Sequence, residues 1–191
     1  MKNITVDLGD IFCYNSPHLI GKAIKWAEKG YSEASSKVSH CGLFVNEGSL
    51  QNVNVVEALF PQGVTYRRFW NAYADNLKNV YILHSLNLTS RERLKISNYA
   101  ISNVGEPYGV LKLLPHLADG VLAKLLHRRD FQFFRAACKI DTFPICSYLV
   151  ARAYDVVGKD FGIKFSFATP DDIMDFAEGN SDKFEIVQIK V

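Results

Sequence analysis

The chain has 191 residues, 48% hydrophobic and 22% charged, which suits one folded domain with a substantial core and excludes a disordered or membrane-spanning class. Its 22 Lys and Arg against 20 Asp and Glu leave a net charge of +2, so no global positive field points to nucleic acid. The aromatic share of 13%, with 13 Phe and 9 Tyr, favours a β-containing core or a site for something apolar.

The N-terminus, Met1 to Asp7, has no apolar core segment and enters a strand-like pattern at once. No signal peptide is expected, no stretch is apolar enough to span a bilayer, and the expected location is cytoplasmic; a phage-encoded or specially exported protein would share these features. Residues 4–14 read as one strand, with Gly9-Asp10 marking a bend. Residues 18–29 place Leu19, Ile20, Ala23, Ile24 and Ala27 at helical spacing, with Gly30 as a stop and a polar loop over 31–37. Residues 38–45 and 54–60 are β-rich runs separated by the turn signal Asn46-Glu47-Gly48-Ser49, and a third strand is predicted over 79–85.

Thr89-Ser90-Arg91-Glu92 has the form of a capping box and opens a helix ending near Gly105. After Pro107-Tyr108-Gly109 comes an insert, 110–143, whose amphipathic part at 110–126 is interrupted by Pro115 and Gly120. Core packing is its plainer use; a lid over an acyl chain, with membrane contact, is the less favoured one. His127-Arg128-Arg129 reads as a solvated helix end. A helix is expected from Cys146 to about Val157, stopped by Gly158. Thr169-Pro170-Asp171-Asp172 starts another, with a hydroxyl cap, Pro at the first position and acids in the first turn. Residues 184–191 alternate like a half-buried strand. Helices mixed with antiparallel-looking strands make an α+β class. Without a repeat or linker, a single domain over 1–191 is expected.

The chemistry centres on Cys146. A thiol at a helix N-terminus feels the positive end of the helix dipole, which favours the nucleophilic thiolate. In a hairpin centred near Gly48-Ser49, His40 and Glu57 would lie opposite each other, with Cβ atoms about 5 Å apart. Such a carboxylate would accept from one imidazole nitrogen while the other faces a thiol, so a Cys–His–Glu site is expected. Glu57 stands amid Val55, Val56, Ala58 and Leu59, where a carboxylate needs a partner. Cys41 should project from the opposite strand face to His40, which argues against it as nucleophile. The backbone N–H of Cys146 would meet an oxyanion, with Tyr14 or Tyr108 as candidate second donor.

The remaining candidates read as structural. His18, His84, His116 and His127 lack metal-ligand spacing, and the four cysteines lack C-x-x-C spacing, so no metal, cofactor or disulfide framework is expected. Asp171 and Asp172 complement a helix dipole.

The set Gly9-Asp10-Ile11, Ser39-His40-Cys41-Gly42-Leu43, Val56-Glu57-Ala58, Pro107-Tyr108-Gly109, Cys146-Ser147-Tyr148-Leu149-Val150 and Thr169-Pro170-Asp171-Asp172 resembles the circularly permuted NlpC-type cysteine peptidases. These are the YiiX-like branch of the papain-like superfamily, in which the histidine strand precedes the cysteine helix. The resemblance spans residues 9 to about 173. It implies a small antiparallel sheet or barrel packed against helices, with Cys146 as nucleophile, His40 as base and Glu57 as the third member. The long insert and the cysteine after His40 depart from the pattern. Three functions follow as expectations: a peptidase or amidase acting on a small peptide or amide, an acyltransferase or lipid hydrolase like the lecithin–retinol acyltransferase relatives, or a non-catalytic module binding a ligand in the cleft.

Overall fold

The computed structural model describes residues 4–16, 37–109, 122 and 144–189. The helix expected at 18–29 and all of the 110–143 insert except Leu122 lie outside the described residues. Among the described residues, strands β1 (Thr5–Val6) and β4 (Gly48–Ser49) form a two-stranded sheet. The main sheet uses β2 (Ile11–Tyr14), β3 (His40–Phe44), β5 (Asn54–Leu59), β6 (Gly63–Arg68), β7 (Val80–Ser85) and β8 (Phe184–Gln188). It is antiparallel throughout, in the order β6-β5-β3-β2-β7-β8. The helices are α1 (Phe69–Tyr73), running into a 3-10 turn at Ala74–Asn79, then α2 (Ser90–Ser102), α3 (Cys146–Asp155) and α4 (Pro170–Gly179). Among the described residues, no helix is long and apolar enough to cross a membrane.

Side-chain alternation sorts the sheet's residues into two cores. Ile11, Cys13, Cys41, Leu43, Val56 and Ala58 face α2, α3 and α4. Phe12, Tyr14, Phe44, Val55, Val80 and Ile82 face the other way, where Phe69 and Tyr73 of α1 cover them. Both faces of β2 are therefore buried. Each fully buried Leu, Ile or Phe contributes about 1.5–3 kcal/mol relative to exposure.

The helix starts match their sequence signals. In α2, Glu92 N–H donates to Thr89 Oγ1 at 3.3 Å and Thr89 N–H donates to Glu92 Oε2 at 2.7 Å. Thr169 and Asp172 make the same reciprocal cap on α4 at 3.1 and 2.8 Å.

Two expectations are corrected. The strand expected over 4–14 breaks into β1 and β2, which join different sheets. Gly9 takes φ +83°, a left-handed conformation, and the Asp10 carboxylate accepts from Asp7 N–H at 2.9 Å and Ser85 N–H at 3.2 Å. That local demand turns the chain.

The β3–β5 register is also not the one expected. Leu43 pairs with Val56 and Phe44 with Val55, so the same register carries Gly42, not His40, opposite Glu57. The connection is centred one residue later than Gly48-Ser49, which moves every partner by two. A two-residue shift preserves the face, so His40 and Glu57 still share one. Gly42 is what the crossing requires: a Cβ there would meet the Phe12 ring at 2.5 Å and Glu57 Cβ at 2.9 Å.

Candidate active site

Cys146 is the first residue of α3, after Ile145, which offers no side-chain cap. Its sulfur thus sits by uncapped backbone N–H groups at the positive end of the helix. The residue is only 6% exposed, yet it lines a cavity of about 450 Å³ with His40, Arg67, Tyr73, Tyr14 and Tyr108.

His40 opens β3 on the face opposite the helices, its ring 6.0 Å from that of Phe12. Its Nε2 lies 2.5 Å from Glu57 Oε2. Nδ1 is left for the Cys146 thiol, with which His40 shares a hydrogen bond. Glu57, from the middle of β5, is 0% exposed and cannot be satisfied by water. Its oxygens are instead held by protein: Arg67 Nε donates to Oε1 at 2.6 Å, and Tyr73 Oη donates to Oε2 at 2.6 Å. Arg67 also lies over the Tyr73 ring, 5.4 Å from its centroid.

The electrostatics follow from these contacts. Burial opposes charge on Glu57, but the His40 hydrogen bond and charge, then Arg67, hold its pKa down to about 2. Burial likewise opposes the His40 imidazolium, yet the charge and hydrogen bond of Cys146, then those of Glu57, push its pKa up to about 10. The Cys146 thiol is drawn well below the usual range, first by a hydrogen bond from the Cys41 side chain. Burial opposes that shift, while the His40 charge and hydrogen bond and a backbone hydrogen bond from Cys41 add to it. The arrangement favours thiolate beside imidazolium at neutral pH.

All three residues expected to act together are thus in contact in one chain, Cys146–His40–Glu57. Tyr14 and Tyr108 both line the cavity. Tyr14 packs on Tyr73 with centroids 5.0 Å apart, and burial raises its phenol pKa, which keeps it a proton donor. Tyr108 packs on Phe60 at 5.9 Å. Cys41 projects to the helix side as expected, and there it touches Cys146.

Other candidates lie elsewhere. His84 Nδ1 is 2.6 Å from Asp10 Oδ2, in a separate network with Arg93. Asp171 accepts from Lys37 N–H at 2.9 Å, and Asp172 completes the α4 cap. His18, His116 and His127 lie outside the described residues. Among the described residues, no group of three or more His, Cys, Asp or Glu is placed to hold a metal ion.

The sequence reading assigns no element to 61–78 and so does not single out Arg67 or Tyr73. The signal was present: Gly63-Val64-Thr65-Tyr66 is a turn residue followed by strand formers. A strand there would place Arg67 beside β5.

No protein-family model and no curated protein sequence matches this chain. Its structure is similar to the crystal structure of YiiX from Escherichia coli O157:H7, which is described as a metalloprotein. The TM-score is 0.60 at 17% identity, over 97% of this chain and 98% of that one. At that identity the likeness shows the fold alone: a small mixed domain of antiparallel strands and helices of the YiiX kind.

Proposed function

We propose that this protein is a thiol-dependent hydrolase that cleaves an amide bond through an acyl-enzyme on Cys146, on a permuted papain-like, NlpC-type scaffold. The observation that carries the reading is the ordered contact from Cys146 to His40 to a fully buried Glu57, itself fixed by Arg67 and Tyr73. A carboxylate held from three directions cannot swing away, so it fixes the imidazole's orientation and supports its charge.

In this reading the Cys146 thiolate attacks the substrate carbonyl, and the Cys146 backbone N–H at the α3 terminus stabilises the oxyanion. Tyr14 or Tyr108 supplies the second donor. His40 gives its Nδ1 proton to the leaving amine, and the C–N bond breaks to leave a thioester. Neutral His40 then takes a proton from water, whose oxygen attacks the thioester. The acid is released and the thiolate–imidazolium pair is restored.

The aromatic wall made by Tyr14, Phe60 and Tyr108 favours a second reading, in which the acyl group is apolar and an amine or alcohol replaces water. YiiX is described as a metalloprotein. The described residues offer no three-ligand group, and the Arg67 guanidinium on Glu57 opposes a cation there.

Fluorogenic aminoacyl amides and acyl thioesters, with and without an added amine, test the proposal. It predicts turnover that Cys146→Ala abolishes and His40→Ala reduces by orders of magnitude. Turnover that survives in Cys146→Ala would overturn it. Acyl-amine product exceeding free acid would select the transferase reading. Ligand binding without turnover across both substrate classes would leave the non-catalytic module.

A further inference from the structure

Three reduced, buried cysteines converge beneath the cavity, and hydrolysis uses only one of them. Cys13 and Cys41 are directly opposed partners on β2 and β3. Both point to the helix side, where Cys146 opens α3. Cys41 follows His40 in sequence, so strand alternation puts the imidazole on one side of β3 and a thiol on the other. Both side chains reach the Cys146 sulfur.

We propose that Cys41 is a resolving thiol for Cys146, so that peroxide converts the pair into a reversible Cys41–Cys146 disulfide that switches the site off and protects it from over-oxidation. The inference rests on the reading of Cys146 as a thiolate. In the first step the Cys146 thiolate attacks one peroxide oxygen, the O–O bond breaks and the departing hydroxide takes the proton of the His40 imidazolium, leaving Cys146 sulfenic acid, neutral His40 and one water. In the second, the Cys41 sulfur attacks the sulfenic sulfur and the S–O bond breaks. The Cys41 proton leaves with the hydroxyl as a second water. Two thiols thereby lose two electrons and reduce one peroxide to two waters.

The geometry sets the order of events. Cys146 lines the cavity and meets a small oxidant, whereas Cys13 and Cys41 are 0% exposed. Burial, then the charge of Cys146, keeps the Cys13 thiol protonated and inert. Cys41 already touches Cys146. Closing that contact to an S–S bond calls for changes in the side-chain torsions of the two cysteines.

The test treats the whole protein with hydrogen peroxide, blocks remaining thiols and maps cysteines by mass spectrometry. Iodoacetamide labelling of Cys146 is measured before oxidation and after a dithiol reductant. The proposal predicts loss of two hydrogens, a Cys41–Cys146 cross-linked peptide, and labelling restored by the reductant to its untreated level. Cys13→Ala should give the same cross-link. Cys41→Ser should instead accumulate sulfinic and sulfonic Cys146, whose labelling no reductant restores. A Cys13–Cys41 or Cys138–Cys146 bond, or direct over-oxidation of Cys146 in wild type, would overturn the proposal. If Cys41→Ser does not fold, the wild-type and Cys13→Ala maps decide alone. Slow labelling of Cys146 before any oxidant would refute the thiolate reading separately.

Discussion

Replacing Glu57 by Gln keeps the shape of the side chain and removes its charge, in a place where every neighbour donates. His40 Nε2 and Tyr73 Oη approach Oε2, while Arg67 Nε approaches Oε1. An amide has one acceptor oxygen and one donor nitrogen. If its oxygen takes the Oε2 position, the NH₂ group faces Arg67; if it flips, the NH₂ faces His40 and Tyr73. Either orientation sets donor against donor in a fully buried position. Breaking a buried ion pair costs about 3–5 kcal/mol. Arg67 is 37% exposed and can recover some hydration, so the low end applies, about 3 kcal/mol. The imidazolium also loses a charge-assisted hydrogen bond of about 1.5–3 kcal/mol, equivalent to a fall of about one to two units in the His40 pKa. Urea unfolding reads the first quantity, and the pH dependence of Cys146 alkylation reads the second. Unfolding within about 0.5 kcal/mol of wild type, together with an unchanged alkylation profile, would refute the assignment of Glu57 as the buried anion that supports His40.

Gly42→Ala drives a methyl into the Phe12 ring and Glu57 Cβ. It should cost about 3 kcal/mol, the upper end for overpacking, and displace Glu57 enough to lower Cys146 reactivity; a fully stable, fully reactive variant contradicts the close crossing. Tyr73→Phe removes one donor from Glu57 and should cost about 1.5 kcal/mol. Arg67 and His40 still hold the carboxylate, so low-pH alkylation of Cys146 should persist, and its loss would show that Tyr73 does more than position. The part-buried Asp10–His84 pair should give a pH-dependent stability difference between wild type and His84→Gln. The His84 pKa is raised, chiefly by its Asp10 hydrogen bond. Its contribution is therefore fully present below the unfolded value of about 6.5 and lost as pH rises through the higher folded value. Thermal unfolding across that range should show the two proteins converging on the alkaline side; a gap that widens there would reverse the assigned sign.

Local signals on this chain were readable where one segment decides the structure. The caps at Thr89 and Thr169 fix their helix starts through atoms three residues apart, and the strands at 40–44, 54–59 and 80–85 carry β-forming residues between turn signals. The shared face of His40 and Glu57 survived a wrong register, because a shift of two leaves alternation intact. The register itself was not legible. The loop between β3 and β5 contains β4, whose partner is the distant β1, and no local turn rule reports that pairing. Asp10 looked like part of a bend, but its burial depends on His84, Ser85 and Arg93, more than seventy residues away. The thiol contact of Cys41 is likewise a tertiary fact. Alternation gave the direction of its side chain, and only the docking of α3 on β3 shows what it meets.

The central claim is that the Cys41 hydrogen bond and the His40 imidazolium together hold Cys146 as a thiolate, and per-residue iodoacetamide labelling at about pH 6 tests the His40 part directly in wild type and His40→Ala. An ordinary thiol of pKa about 8.5 is only about one part in 300 ionised there. The account predicts that Cys146 labels far faster than Cys13 or Cys41 in wild type, and that His40→Ala slows it by about two orders of magnitude without unfolding the protein. Equal Cys146 labelling in the two folded proteins would contradict the thiolate–imidazolium pair and the hydrolase reading built on it.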